Sequence, residues 1–204
     1  MRKTPRAAYT RRVGLRPAVF LDRDGTLTEE VGYVNHPKRL RLLPRTGEAI
    51  RRLNAAGVPA VVVTNQAGIA RGYFTQDILD ATHAELRAQL AAEGAHLDGL
   101  YLCPHHPTEG EPPYRMRCEC RKPKPGMLLQ AASDLDLDLH RSVMVGDKGS
   151  DLEVAPLVGA RGVLVLTGYG LGEWEFRRDR LPVTPDHVAT DLFDAVEWVL
   201  KVTA

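Results

Sequence analysis

The chain has 204 residues, 44% of them apolar, and its 27 Lys and Arg against 26 Asp and Glu leave a formal net charge of +1. That length suits one domain with a real core, and the balanced charge argues against a nucleic-acid binder working through a basic surface. No apolar run approaches the roughly 20 residues of a membrane span, and three cysteines, an odd number, do not make a disulfide framework.

Residues 1–16 carry six Lys or Arg, no acid and no apolar stretch. They exclude a secretory signal and read as a basic flexible tail, with 17–204 as a single domain. Pro17 to Leu21 is a short apolar strand that stops at Asp22-Arg23-Asp24-Gly25-Thr26. Leu27 to Leu43 has no helical period, and Gly32-Tyr33, Asn35 and Pro37 mark a loop or small hairpin. Thr46 is expected to cap a helix through Ile50 and Leu53 to Gly57. Val58 to Val63, nearly all β-branched, fits a strand buried on both faces and ends in Thr64-Asn65-Gln66-Ala67-Gly68.

Thr75 suits the N-cap of a helix carrying Ile78, Leu79, Leu86 and Leu90, stopped at Gly94. Leu100 to Leu102 is a short strand. Residues 103–124 are rich in Pro and Cys and have no period. Pro125 sits in the first turn of a helix through Met127, Leu128 and Ala132. Ser142 to Val145 is a strand ending in Gly146-Asp147-Lys148-Gly149-Ser150-Asp151. A helix from Asp151 to Val158, a strand from Gly162 to Leu166, and an irregular, charged stretch 168–185 follow. Val188 marks a last short strand, and Thr190 is expected to cap a helix carrying Leu192, Phe193, Val196, Trp198 and Val199.

Strands alternating with helices force a parallel sheet with helices on both faces, a three-layer, Rossmann-like α/β fold. The polar clusters after Leu21, Val63, Leu102 and Val145 then lie on carboxyl-end loops, where open α/β sheets place their ligands. Asp22, Asp24, Thr64, Asn65, Lys122, Asp147, Lys148 and Asp151 converge there. Crowded carboxylates repel unless a cation sits among them, and three or four Asp oxygens suit Mg²⁺. A lysine ammonium and a Thr hydroxyl add donors for a phosphoryl group, so the set points to phosphoryl transfer through an aspartyl-phosphate. Lys124 competes with Lys122 for the ammonium.

Cys103-Pro-His105 and Cys118-Glu-Cys120 use every cysteine of the chain. Three thiolates and one imidazole make a closed, structural zinc site, whose role is to order the loop 103–120 and aim Arg121 and Lys122 at the phosphate. His106 competes with His105 on spacing.

Asp22-x-Asp24-Gly-Thr after Val-Phe-Leu, Thr64, Lys122 and Gly146-Asp147-x-x-x-Asp151 resemble the four motifs of the haloacid dehalogenase phosphatase superfamily. The Cys-x-His…Cys-x-Cys insert followed by Arg-Lys-Pro-Lys-Pro-Gly-Met is similar to the subgroup that holds the heptose-bisphosphate phosphatases and the histidinol-phosphate phosphatase domain. Gly32-Tyr33-Val34 and Thr64-Asn65-Gln66-Ala67-Gly68-Ile69-Ala70-Arg71-Gly72 match the heptose members closely.

By that resemblance Asp22 attacks phosphorus. Asp24 first protonates the leaving alcohol, then activates water. Thr64 and Lys122 hold the transferring oxygens. Asp22, the Asp24 main-chain carbonyl and Asp147 bind Mg²⁺, with Asp151 close by, and His105 is the imidazole of the zinc site. The segment Glu30, Val31, Gly32 and Tyr33 would contact the sugar, with Asn65 and Gln66 at the floor and Arg121 and Lys148 on a second phosphate. The implied protein is a cytoplasmic monomer with no large cap, acting on a small phosphorylated sugar and on neither nucleic acid nor membrane. A histidinol-phosphate phosphatase, a less specific small sugar-phosphate phosphatase and a non-enzymatic, zinc-ordered binding domain are the competing readings.

Overall fold

In the computed structural model the described residues are 14–203. Most of the expected basic tail, 1–13, lies outside them. Six strands, β1 (Val19–Leu21), β2 (Ala60–Asn65), β3 (Gly99–Cys103), β4 (Val143–Gly146), β5 (Arg161–Val165) and β6 (His187–Ala189), pair in the order β3-β2-β1-β4-β5-β6. Every pairing is parallel. The chain steps from β1 outward to β3, then returns to the other side of β1 at β4. That reversal opens a crevice at the carboxyl ends of β1 and β4. Leu21 is in register with Val62 on one side and Val145 on the other, so the residues after each strand leave the sheet together.

Alternate residues of the central strands face opposite layers. Val19, Leu21, Val62, Val143 and Val145 pack with Ile50 and Leu53 of α1 (Thr46–Ala55), Leu86 and Leu90 of α2 (Gln76–Ala92), and Val196 and Val199 of α6 (Leu192–Thr203). Phe20, Val61, Val63 and Met144 pack with Met127 and Leu128 of α3 (Gly126–Leu135) and Val154 of α4 (Gly149–Leu157). Full burial of each such side chain contributes about 1.5–3 kcal/mol. The result is the expected three-layer α/β sheet without a large cap. Among the described residues no helix is long and apolar enough to cross a membrane.

Local expectations fare unevenly. Thr75 does cap α2, its side chain accepting from the Ile78 amide at 3.4 Å, and Gly94 follows at φ +72°. Thr28 and Leu42 form an antiparallel bridge that pins the predicted loop or hairpin. Thr46 is not a cap. Arg45 holds that position at φ +62°, while the Thr46 hydroxyl donates to the Leu27 carbonyl at 3.0 Å and ties the loop after β1 to α1. Asp191 rather than Thr190 caps α6, accepting from the Asp194 amide at 2.8 Å. The stretch expected to be irregular contains α5 (Gly170–Arg177). Its apolar side chains have no buried face, with Phe176 83% exposed and Leu171 47% exposed, so apolar periodicity cannot reveal it. Arg16, assigned to the tail, is tied to the body: its amide donates to Asp136 and its carbonyl accepts from Asp138 at 2.8 Å.

Candidate active site

The β1 strand ends by placing Asp22 beside β4, its amide donating to the Val145 carbonyl at 3.0 Å. Lys122 Nζ ion-pairs with Asp22 Oδ1 at 2.9 Å and with Asp151 Oδ1 at 2.7 Å, and all three side chains are buried. Burial by itself raises Asp22, but Lys122 and Lys148 outweigh it and hold the carboxyl below its ordinary range. For Lys122, burial works against the charge and the two carboxylates override it, so the ammonium is held above its ordinary value. Asp151 is pushed up, first by burial and then by Asp22. Its second oxygen accepts from the Lys148 amide at 3.1 Å.

Asp147 is fully buried on the loop after β4. One oxygen accepts from the Tyr169 amide at 2.9 Å, and the other has no hydrogen-bond partner. Burial, with Asp22 and Asp151 adding to it, pushes this carboxyl up to about 7. Gly25 and Gly168, both at positive φ, lie so close that a Cβ on either would overlap Asp147. The oxygens of Asp22, Asp147 and Asp151 fall within 4.8 Å of one another. The Asp147 oxygen without a hydrogen bond faces Lys148 Nζ at 3.6 Å, and a buried carboxylate oxygen so placed in such a cluster fits a hard divalent cation.

Asp24 is gripped by Arg23 and Gln66, and the Thr28 hydroxyl donates to its Oδ1 at 3.4 Å. Arg23 donates from Nε to Oδ1 at 3.0 Å and from a terminal nitrogen to Oδ2 at 2.8 Å, and Gln66 Nε2 donates to Oδ2 at 2.9 Å. The Gln66 amide also donates to Thr64 Oγ1 at 2.9 Å, and Thr64 is fully buried at the end of β2. Asn65 lines the cleft above the site as expected and also braces Lys122. Its Nδ2 donates to the Lys122 carbonyl at 3.1 Å and its Oδ1 accepts from the Lys122 amide at 3.0 Å.

A cleft of about 580 Å³ opens above these groups, with Asp24, Lys122, Arg121 and Lys148 in its wall. Glu30, Gly32 and Tyr33 line it as expected. Val31 lines a neighbouring cleft with Leu43 and Gly168. Glu30 accepts from the Gly32 amide at 2.7 Å and from Lys148 Nζ at 2.9 Å, so it fixes both its own loop and the lysine. Lys148 Nζ also stands 4.8 Å from the centre of the Tyr169 ring. The carboxylates of Asp22, Asp147 and Glu30 overcome the burial of Lys148 and raise it above its ordinary value.

In the loop after β3, Cys103 Sγ lies 3.5 Å from Cys118 Sγ and 3.7 Å from His105 Nδ1. Cys120 Sγ lies 3.3 Å from both Cys118 Sγ and His105 Nδ1. Ligands about 2.3 Å from a tetrahedral zinc stand about 3.8 Å apart, so the four atoms are gathered almost to that spacing. His106 turns away. Its Nδ1 accepts from the amides of Thr108 and Glu109 at 3.3 and 3.0 Å, and its Nε2 faces Arg71 at 3.2 Å. Arg121 leaves this loop toward the cleft while donating to the His105 carbonyl at 3.2 Å. Lys124, the competitor of Lys122, is half exposed and pairs with Glu119.

Sequence reasoning missed Tyr169, Glu173 and Arg177 of the cleft wall, because α5 leaves no periodic trace. It also missed Arg23 and His83. Arg23 stood between the two aspartates in plain view, and its burial goes with its pairing to Asp24, while Asp22 takes Lys122. His83 carries no local signal.

A HAD-hydrolase-like family profile matches residues 119–195. The D-glycero-D-manno-heptose-1,7-bisphosphate 7-phosphatase of Thermosynechococcus vestitus is 47% identical over 188 residues, 90% of this chain and 95% of that protein. The D-glycero-beta-D-manno-heptose-1,7-bisphosphate 7-phosphatase of Escherichia coli K12 is 41% identical over 190 residues, 92% of this chain and 90% of that one. The crystal structure of D,D-heptose 1,7-bisphosphate phosphatase from B. bronchiseptica, complexed with magnesium and phosphate, superposes with a TM-score of 0.80 at 35% identity, covering 91% of this chain and 98% of that one. With the parallel sheet, the aspartate cluster and end-to-end likeness all in agreement, the chain belongs to the haloacid dehalogenase-like hydrolases and, among them, to the D-glycero-D-manno-heptose-1,7-bisphosphate 7-phosphatase family.

Proposed function

We propose that the protein is a Mg²⁺-dependent phosphatase that removes the 7-phosphate of D-glycero-D-manno-heptose 1,7-bisphosphate through an aspartyl-phosphate on Asp22. The observation that carries the reading is the buried nest in which Lys122 binds Asp22 and Asp151 while Asp147 keeps one oxygen free of hydrogen bonds, 3.6 Å from Lys148 Nζ. The names of the relatives supply the substrate.

The Asp22 carboxylate attacks phosphorus, and the bond from phosphorus to the sugar oxygen breaks. Asp24 gives its proton to the departing alkoxide. Asp24, now a carboxylate, takes a proton from water as that water attacks the acyl phosphate, and Asp22 and inorganic phosphate are released. Thr64 and Lys122 hold the phosphoryl oxygens throughout, where fixed donors act on developing charge. Asp22, the Asp24 carbonyl and Asp147 would hold Mg²⁺, with Asp151 anchoring Lys122 beside them. Bound Mg²⁺ offsets the repulsion among the carboxylates and draws charge from the phosphoryl group.

Glu30, Gly32 and Tyr33 contact the sugar, with Val31 behind them. Arg121 and Lys148 meet the second phosphate, where two cations favour a bisphosphate over a ligand carrying an amine. Asn65 and Gln66 act from beneath, as braces. Cys103, His105, Cys118 and Cys120 hold a structural Zn²⁺ that orders loop 103–120. We take residues 17–204 as one phosphatase domain, a cytoplasmic monomer whose partner is the small phosphorylated sugar, with no nucleic acid and no membrane.

The test is phosphate release with Mg²⁺ from heptose 1,7-bisphosphate, heptose 7-phosphate and histidinol phosphate. The bisphosphate is expected to give the highest kcat/KM. Faster turnover of histidinol phosphate would overturn the substrate assignment.

A further inference from the structure

Arg23 is among the largest side chains of the molecule to be fully buried, and the reaction steps leave it without a task. Its three guanidinium nitrogens all have partners. Two hold the Asp24 carboxylate, and the third stands 3.0 Å from Nε2 of His83, which comes from α2, sixty positions along the chain. A guanidinium only donates, so Nε2 must accept, and the ring proton must sit on Nδ1. Burial, reinforced by Arg23 and Arg87, pushes His83 down to about 3, which keeps the ring neutral in solution near neutrality.

We propose that His83 is a positioning residue for the proton-transfer step, holding the Arg23 fork at the angle that orients the Asp24 carboxyl toward the leaving oxygen. The inference rests on the phosphatase reading and on Asp24 as its acid and base. The geometry has a directional logic. Arg23 and Asp24 are neighbours in sequence, so their pairing alone leaves the fork free to turn about the arginine stem. A third contact from a separate helix removes that freedom. Bidentate pairs specify angle as well as strength, and Gln66 secures the same oxygen from the β2 side at 2.9 Å. Asp24 is therefore held from β2 directly and from α2 through Arg23. α2 itself is seated in the core by Leu86 and Leu90, so the chain of contacts is anchored at its far end.

Such a role predicts an effect that depends on the leaving group. A sugar alkoxide needs a proton as it departs, and a nitrophenolate does not. Misorienting Asp24 should therefore lower kcat/KM, which reports the steps up to departure of the leaving group, far more for sugar esters than for aryl esters. Hydrolysis of the shared aspartyl-phosphate, where Asp24 activates water, enters kcat alone. An ångström of misplacement costs on the order of 100-fold.

The test is steady-state kinetics of the Mg²⁺-loaded enzyme on heptose 1,7-bisphosphate and on 4-nitrophenyl phosphate. The proteins compared are wild type, His83→Leu, His83→Gln and His83→Asn. His83→Leu should lose about 30-fold or more in kcat/KM on the sugar ester and less than about threefold in kcat/KM on the aryl ester. His83→Gln, whose amide oxygen can accept from Arg23, should recover most of the loss. His83→Asn, too short to reach, should behave like leucine, and it carries the test if the leucine variant does not fold. Equal losses in kcat/KM on both esters, no loss in kcat/KM on the sugar ester, or a glutamine variant as slow as leucine would each overturn the inference while leaving the phosphatase reading intact. A wild-type protein inactive on both esters would overturn that reading, and this inference with it.

Discussion

Asp147→Asn should stabilise the metal-free protein while destroying its activity. Asp147 is fully buried beside Asp22 and Asp151, and its carboxyl is pushed up from 3.8 to about 7, burial being the largest cause. A carboxyl with a raised folded value favours the unfolded state once that state ionises. Stability is therefore lost as pH climbs from about 4 to about 7, and the loss is complete above that. At 1.36 kcal/mol per pH unit the gap amounts to about 4 kcal/mol at pH 8 and under about 2 kcal/mol at pH 5. Asparagine keeps an oxygen for the Tyr169 amide, but burying its own amide costs about 1–2 kcal/mol. The net gain should be about 2–3 kcal/mol at pH 8, or roughly 5–10 °C in Tm for a chain of this size, and close to nothing at pH 5. The assay is thermal melting in EDTA at both pH values, repeated with excess Mg²⁺. Wild type should gain stability from Mg²⁺ by mass action, and the variant should gain little. A variant less stable than wild type in EDTA at pH 8, or one equally stabilised by Mg²⁺, would refute the reasoning.

Lys122→Met should cost both folding and turnover. It strands Asp22 and Asp151 without their cation, a loss of about 3–5 kcal/mol in a urea titration, and lowers kcat by about 100-fold or more as a phosphate donor disappears. Normal kcat would remove Lys122 from the reaction. Asp22→Asn should abolish turnover and leave circular dichroism unchanged, and residual wild-type turnover would exclude the aspartyl-phosphate. Cys118→Ser should yield protein that retains little zinc by metal analysis. Its kcat should fall because Arg121 and Lys122 lose the loop that presents them, and full activity in the zinc-free variant would break that link. Asn65→Ala should raise KM and lower kcat together through loss of its two hydrogen bonds to the Lys122 main chain, each about 1 kcal/mol. A change in KM alone would return Asn65 to direct substrate contact.

The legible part of the site was the part written in short, local patterns. Asp22-x-Asp24 and Asp147-x-x-x-Asp151 each follow an apolar strand, so sequence order fixed which end of the sheet they occupy. The cysteine pairs likewise announced their loop. Three choices were not legible. Lys122 and Lys124 flank one proline, and only the fold buries the first between two aspartates and leaves the second with Glu119. His105 and His106 are adjacent, and the second is spent on the amides of its own turn. Asn65 and Gln66 read as a binding floor, and Asn65 does line the cleft; what the sequence could not show is that their amides also bond to Lys122, Asp24 and Thr64. α5 escaped because a helix that buries almost nothing has no reason to be periodic.

By itself the sequence determined the alternation of strand and helix, hence the parallel sheet, and with it the convergence of the aspartates and the gathering of the three cysteines on one loop. These follow from patterns a few residues long, because backbone geometry and burial act over that range. Only the tertiary structure decided how charge is distributed among the groups so assembled. Asp22 lies below its ordinary value and Asp147 above it, although both are buried aspartates at strand ends. The difference is the partner: Lys122 reaches the first at 2.9 Å, while the second meets Lys148 at 3.6 Å and without a hydrogen bond. Desolvation and Coulomb energy depend on distances in space, and His83, brought from α2 to the back of Arg23, is the clearest instance of a contact that no stretch of sequence contains.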